Sequence, residues 1–366
     1  MFSVIDGRVR LVGGRGEAPL VPPYTDARDA FETPMPHPYL FRLDERVSRG
    51  LSHWEPAHRE RHRTFILTQQ NADGGFGGRG LPAEDAHSEP EGRESDLYYT
   101  AFAIRALSAL RAFAPEDARR VAAFLDASRH HETSVIDVVS WLYSALMVQA
   151  SAGIDLLAQA EANWPERLAA IMEGFRTVDG GYAKTHEGAL GSTYHSFLVA
   201  LCYELIGQTL PAPDRLIRFI RDRQRDDGGF VEIAPMKRSG TNPTAAAVAV
   251  LTLHSSIGKN LREDVIAYLR DVRGDEGGFQ ANTRIPFADT LSTFTGYLTC
   301  LDLEARDVID PRRIEQFVLS LEQPQGGFRA ASWDQATDVE YTFYALGTLG
   351  LLWSERVPVG GATGLP

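Results

Sequence analysis

The sequence predicts an all-α fold: a six-hairpin α/α toroid with charged helices outside and apolar helices inside, preceded by a short N-terminal extension. Three observations lead there. A Gly-Gly-aromatic signature recurs at Gly74-Gly75-Phe76, Gly180-Gly181-Tyr182, Gly228-Gly229-Phe230, Gly277-Gly278-Phe279 and Gly326-Gly327-Phe328, the last four 48, 49 and 49 residues apart. A large apolar residue stands nine positions before each first glycine: Phe65, Ile171, Phe219, Tyr268 and Phe317. The first gap of 106 residues is close to two periods, and Phe124 continues the series with a glycine-free turn around Arg129 to Ser134. A fixed period near 50 means one supersecondary unit repeated, here six times.

The elements follow in order. In residues 1–37, Val4, Val9, Leu11 and Val12 suggest a short strand pair, followed by a Pro-rich segment from Pro19 to Pro38. This extension precedes a toroid domain over 38–356 and a tail over 357–366. Within each unit the first helix is amphipathic, as in Leu216 to Arg221 and Ile314 to Leu319, with apolar residues at three- and four-residue spacing between charges. After the glycines comes a loop, then a second helix with far fewer charges, as in Thr244 to Leu253 and Tyr341 to Leu352. The loop of unit one, Gly77 to Ser95, is long and acidic and reads as solvated.

The second helices start alike, at Asp96, Asp137, Ser192, Thr241, Asp289 and Asp338, all good N-cap types. Pro243 falls inside the first turn, where its missing N–H has no partner to lose. Three and four residues past the caps stand Tyr99-Thr100, Ser140-Trp141, His195-Ser196, Thr244-Ala245, Ser292-Thr293 and Tyr341-Thr342. Seven past them are Ala103, Ser144, Val199, Val248, Gly296 and Ala345. These positions share one helical face, which is expected to line a lumen with a polar rim. Inner helices this apolar, and terminal units without polar caps, favour a closed ring over an open solenoid.

A net charge of −12 opposes a nucleic-acid partner, because phosphate binding needs a basic face. Cys202 and Cys300 fall inside inner helices and read as buried small residues. No basic-then-apolar leader and no apolar run of spanning length is evident, so the expectation is a cytoplasmic protein that is not integral to a membrane. His130, His131 and Glu132 form a polar turn rather than a metal cluster.

The glycine-aromatic turns, each leading to an apolar helix, resemble the prenyltransferase and squalene-cyclase repeat over residues 57–353. Length and unit number most resemble the β subunit of protein prenyltransferases, the Rab geranylgeranyl type in particular. The local pieces are Asp96 to Thr100, Gly277 to Gln280 and Asp338 to Thr342. The resemblance implies an isoprenoid, as prenyl diphosphate, in the lumen, aromatic residues Tyr99, Trp141, Tyr297, Tyr341 and Tyr344 lining it, and a possible α-like partner subunit. His195, at a lumen position by the cap count, is the histidine expected to touch a ligand.

The family's zinc aspartate corresponds to Asp289, but its cysteine position holds Leu291 and its histidine position holds Tyr341. Two of three ligands are missing, so zinc is not expected; magnesium can accompany a prenyl diphosphate. Of the basic residues that grip the diphosphate, a loop lysine corresponds to Arg284, with Lys237 and Arg238 in the preceding loop; the diphosphate histidine and upstream arginine have no counterpart. Prenyl transfer without zinc is the favoured expectation. Asp338-Val339-Glu340-Tyr341-Thr342 also resembles the acid motif of class II terpene cyclases, with Glu340 as the acid and Asp338 and Tyr341 beside it. A non-catalytic isoprenoid carrier or scaffold is the third reading.

Overall fold

The computed structural model describes residues 37–78, 94–128, 134–158, 160 and 162–356, and the backbone of 2–5 and 8–11. The Pro-rich segment, most of the acidic loop, the turn with His130, His131 and Glu132, and the tail 357–366 lie outside the described residues. Strands β1 (Phe2–Ile5) and β2 (Arg8–Leu11) form the antiparallel pair that the alternation predicts, with Val4 opposite Val9.

After a first helix α1 (Tyr39–Leu51), outer and inner helices alternate. The outer set is α2 (Pro56–Thr68), α4 (Pro115–Ala127), α6 (Trp164–Glu173), α8 (Pro213–Arg221), α10 (Lys259–Asp271) and α12 (Pro311–Ser320). Five of these carry proline in the first turn, where no intrahelical N–H bond is lost. The inner set is α3 (Leu97–Ala109), α5 (Val135–Ala152), α7 (Thr193–Leu205), α9 (Thr241–Leu253), α11 (Thr290–Asp302) and α13 (Val339–Ser354). Each inner helix packs on the next, and α13 returns onto α3.

The turns explain the repeat and close the ring. In the five described turns the first glycine has φ between +85° and +106°, a region that L side chains avoid. Its backbone lies against the outer helix of the next unit: a Cβ on Gly228 would fall 2.2 Å from the Asp264 carbonyl oxygen of α10. The second glycine makes room for the phase residue of the next unit, as Gly181 does for Phe219 and Gly278 for Phe317. The sixth turn repeats this contact on the first unit, with Gly326 against the Arg61 carbonyl and Gly327 against the Phe65 ring. Buried His62 completes the seam, its Nδ1 accepting the Gly327 N–H at 3.0 Å while Nε2 lies 3.1 Å from the Glu322 carboxylate.

Asp96, Ser192, Asp289 and Asp338 cap their helices through side-chain oxygens, as expected. Two caps differ. Ser134 caps α5, and Asp137 closes a capping box from the third helical position. Gly240 precedes α9, so Thr241 is its first helical residue, and its hydroxyl donates to the Gln280 carbonyl. The Thr241 N–H is satisfied from the next unit, by the Ala281 carbonyl at 2.9 Å. Thr193 and Thr290 repeat that link to Glu232 and Ala330.

Helix α1 was not foreseen as part of the lumen. It lies across the C-terminal ends of the inner helices. Ser48 donates to the last carbonyls of α3, the Tyr39 N–H donates to Glu204 of α7, and Arg46 pairs with Glu355 just past α13. It crosses α13 at glycines so close that a Cβ on Gly50 would fall 1.8 Å from the Gly350 carbonyl oxygen. The ring therefore has a rim end, where caps and loops gather, and a floor made by α1. Among the described helices, α5 alone is long and apolar enough to cross a bilayer, which the sequence expectation had not allowed for. It is an inner helix seated between α3 and α7, with 56% of its span buried in the ring.

Candidate functional site

The ring encloses a cavity of about 430 Å³, bounded by α1, α3, α7, α9, α11 and α13. Its wall is not the face that the cap count selects. Positions four past the caps face outward, where Thr100, Ser196, Thr244, Thr293 and Thr342 accept the backbone N–H of Phe76, Tyr182, Phe230, Phe279 and Phe328 at 2.9–3.2 Å. Seven past the cap, Gly296 lies against the Phe279 ring. The lumen is lined from two, five to six and nine past the caps: Tyr98, Phe102 and Arg105 on α3, and Tyr194, Phe197, Leu198 and Leu201 on α7. A shift of two residues turns a helix by about 200°, so the expected face and the lumen face are nearly opposite. The hydroxyl and small residues mark where a turn packs closely, not where a ligand would sit.

The residues singled out from sequence consequently separate. Tyr344 lines the cavity. Glu340 is buried at the rim end and accepts the Tyr98 hydroxyl at 2.6 Å, and Tyr98 lines the cavity. Asp338 is buried as the cap of α13, bound by the Tyr341 N–H at 2.8 Å, and Tyr341 stands outside the lining. Tyr99 packs beside Gly78, the Trp141 indole donates to the Leu125 carbonyl of α4, and Tyr297 is buried in the ring; none of the three lines the lumen. His195 also stands outside it, with Nδ1 2.7 Å from the Ser192 hydroxyl, and burial followed by the charge of Lys184 lowers its pKa to about 4. Lys237, Arg238 and Arg284 are exposed on adjacent loops, where Arg238 reaches the Thr283 hydroxyl at 3.2 Å; they too are absent from the cavity wall.

Sequence reasoning missed further polar groups of the cavity wall. Asp44 of α1 and Asp302 of α11 both line the cavity, and burial pushes each carboxyl up to about 6. The Tyr143 hydroxyl donates to Asp44, and Tyr39 is the hydrogen-bonding partner of Asp302. Glu232, at the rim end, accepts the Ser192 hydroxyl, and burial raises its pKa as well. Arg105 stands among rings, its Cζ 4.7 Å from the Tyr143 centroid, 5.5 Å from Phe102 and 5.9 Å from Phe343. Its one sequence signal was being the sole charged residue of α3.

The model of the prenyltransferase alpha-alpha toroid domain matches residues 47–232 and 244–362. The chain belongs to the prenyltransferase alpha-alpha toroid family. Solved structures show the same fold. Protein geranylgeranyltransferase-I of Candida albicans, complexed with GGPP, is 16% identical with a TM-score of 0.63, over 80% of this chain and 90% of that one. A type II terpene cyclase of Scytonema, in complex with geranylgeranyl dihydroxybenzoate, is 15% identical with a TM-score of 0.53, over 86% and 99%. An α-1,6-mannanase from Salegentibacter is 12% identical with a TM-score of 0.51, over 85% and 98%. No curated protein matches the sequence significantly.

The breadth of chemistry among these neighbours means that the toroid alone fixes no reaction. In this member of the prenyltransferase toroid family, the residues at the expected zinc positions do not fit that ion. Asp289 is engaged by the Ser292 N–H and hydroxyl, at 2.6 and 2.8 Å, and burial raises its pKa. Leu291 and Tyr341 offer neither thiolate nor imidazole, the donors zinc favours. Among the described residues, no group of three or more His, Cys, Asp or Glu side chains is arranged so that it could hold a metal ion.

Proposed function

We propose that this toroid binds an isoprenoid, as its prenyl diphosphate, in the central cavity and transfers the prenyl group without the family's usual zinc site. The observation that carries this reading is the cavity itself, about 430 Å³ and walled by Phe102, Phe294, Phe343, Tyr344 and the aliphatic faces of α7, α9 and α11. Apolar and aromatic walls suit a prenyl chain. The ligands of two structural neighbours, GGPP and a geranylgeranyl benzoate, support it. Lys237, Arg238 and Arg284 are the rim cations assigned to the diphosphate, with magnesium as its companion ion.

In a transfer, the bond from C1 to the diphosphate oxygen breaks and the acceptor's nucleophile bonds C1. The acceptor's proton then needs a base. Glu340, held by the Tyr98 hydroxyl at the rim end, is assigned that role. The same burial of Glu340 beside Tyr98 favours a second reading, in which a protonated Glu340 starts a terpene-cyclase-like reaction by protonating an alkene. The protein is placed in the cytoplasm, with or without an α-like helical partner.

Incubation with labelled C10 to C20 prenyl diphosphates separates the outcomes. Diphosphate release with a prenylated acceptor supports transfer, a cyclised hydrocarbon supports the second reading, and binding without turnover leaves a carrier. Absence of binding at every chain length overturns the proposal.

A further inference from the structure

Among the described residues lining the cavity, Arg105 is the only cation, and the three acids of the same wall already have partners. Asp44 accepts the Tyr143 hydroxyl, Asp302 is bonded to Tyr39, and Glu232 accepts from Ser192. None of them lies within ion-pair distance of the guanidinium. Arg105 Nε is buried without an acceptor. Its guanidinium is hydrogen-bonded to the Tyr143 hydroxyl, whose own proton is given to Asp44. Contacts with three ring faces hold the cation in place, and Asp44, beyond that hydroxyl, is the acid that acts on it. A desolvated guanidinium is a two-pronged donor suited to an oxyanion.

We propose that Arg105 is the receptor for a carboxylate carried into the lumen, so that the cavity takes an isoprenoid acid with its acidic end toward the floor and its chain along α9 and α11. This inference rests on the reading that the lumen binds an isoprenoid, and it adds to the prenyl diphosphate of that reading a second ligand class, an isoprenoid acid that enters acid end first. At the floor end, a carboxylate would complete the hydrogen bonding of Arg105, whose Nε has no acceptor. With the Asp44 carboxyl protonated below its pKa of about 6, the one guanidinium matches a single negative charge and is too little for the several charges of a diphosphate. The opposite wall, with Ala245, Ala246, Ala249, Leu291 and Leu298, offers a chain no polar competition.

The test is calorimetric titration of the full chain with geranylgeranoic acid and with geranylgeraniol at about pH 5.5, below the raised pKa of Asp44 and Asp302 and above that of an ordinary carboxylic acid, each delivered from the same cyclodextrin. The acid is expected to bind more tightly by on the order of tenfold to a hundredfold, the range of a charge-assisted hydrogen bond. Arg105→Gln should abolish that preference and leave alcohol binding within about twofold, and Arg105→Lys should keep part of it. The wild-type comparison needs no variant, so a misfolded Arg105→Gln protein does not shield the proposal; circular dichroism of each variant identifies that case. Equal wild-type affinities for acid and alcohol overturn the Arg105 assignment while leaving isoprenoid binding standing. Equal losses of both ligands in a folded Arg105→Gln protein also overturn it. If neither compound binds, the isoprenoid reading falls and this inference falls with it.

Discussion

On the outward face of the inner helices, a hydroxyl at one fixed position accepts the N–H of the turn aromatic in five of the six units. On the lumen face, the position two past the caps holds Tyr98, Tyr194, Asn242, Leu291 and Glu340, two tyrosines beside an amide, an aliphatic and an acid. The difference follows from what each face must do. The outward face meets the same turn in every unit, so one solution recurs. The lumen face meets a shared space, so each helix contributes something different. The lumen also holds a buried Arg105 Nε without an acceptor and three carboxyls with raised pKa, those of Asp44, Asp302 and Glu232. Groups left unsatisfied in an otherwise consistent fold are where function is expected.

Substitutions on the two faces should therefore separate, and stability by urea unfolding is the common readout. Gly228→Ala should be the most damaging, by about 3 kcal/mol or more, because it combines a positive φ with a Cβ that would collide with backbone. A loss under about 1 kcal/mol would mean that the turn is not the joint between units. Thr244→Val keeps the shape of the side chain and removes the acceptor of the buried Phe230 N–H, so a loss of about 1–3 kcal/mol is expected. An unchanged midpoint would show that this hydrogen bond is dispensable.

The lumen face should respond in the opposite sense. Asp44 has a folded pKa of about 6 against an ordinary value of 3.8, so the folded state binds more protons between those limits. Its contribution to stability is then fully present below about pH 4 and is lost as pH rises through 6. Asp44→Asn should gain on wild type across that window, by at most about 3 kcal/mol at pH 7 and by less to the extent that water in the cavity solvates the carboxylate. A wild-type–variant difference that does not change between pH 4 and 7 would contradict the raised pKa. Smallest of all, Ala246→Phe projects into the lumen and should alter stability by less than about 1 kcal/mol, since the cavity has room for the ring.

The same contrast explains what the sequence revealed. The period of the glycine turns and the phase of Phe65, Phe124 and Phe219 were legible because they are joints between identical units, and they carry the ring and its closure. The cap residues were legible for the same reason, apart from Ser134 and Gly240. The lumen face was not, because a cap count defines a helical face without saying which of two opposite faces points inward. Here the recurrent hydroxyls at four past the cap were the mark of close packing. Helix α1 lies outside the repeat and its charges suggest a surface helix, so its role as floor, and with it Asp44, had no periodic signal. Arg105 and Asp302 left a trace, each as the single charge of its inner helix, α3 and α11.

The most direct test is titration of wild type and Ala246→Phe with geranylgeranyl diphosphate, read by calorimetry under conditions where both proteins show the same unfolding midpoint. The account predicts one equivalent bound by wild type and binding weakened at least about a hundredfold by the phenylalanine, which would occupy the space of the chain. Equal binding by both proteins, or none by wild type, would contradict a lumen that holds an isoprenoid.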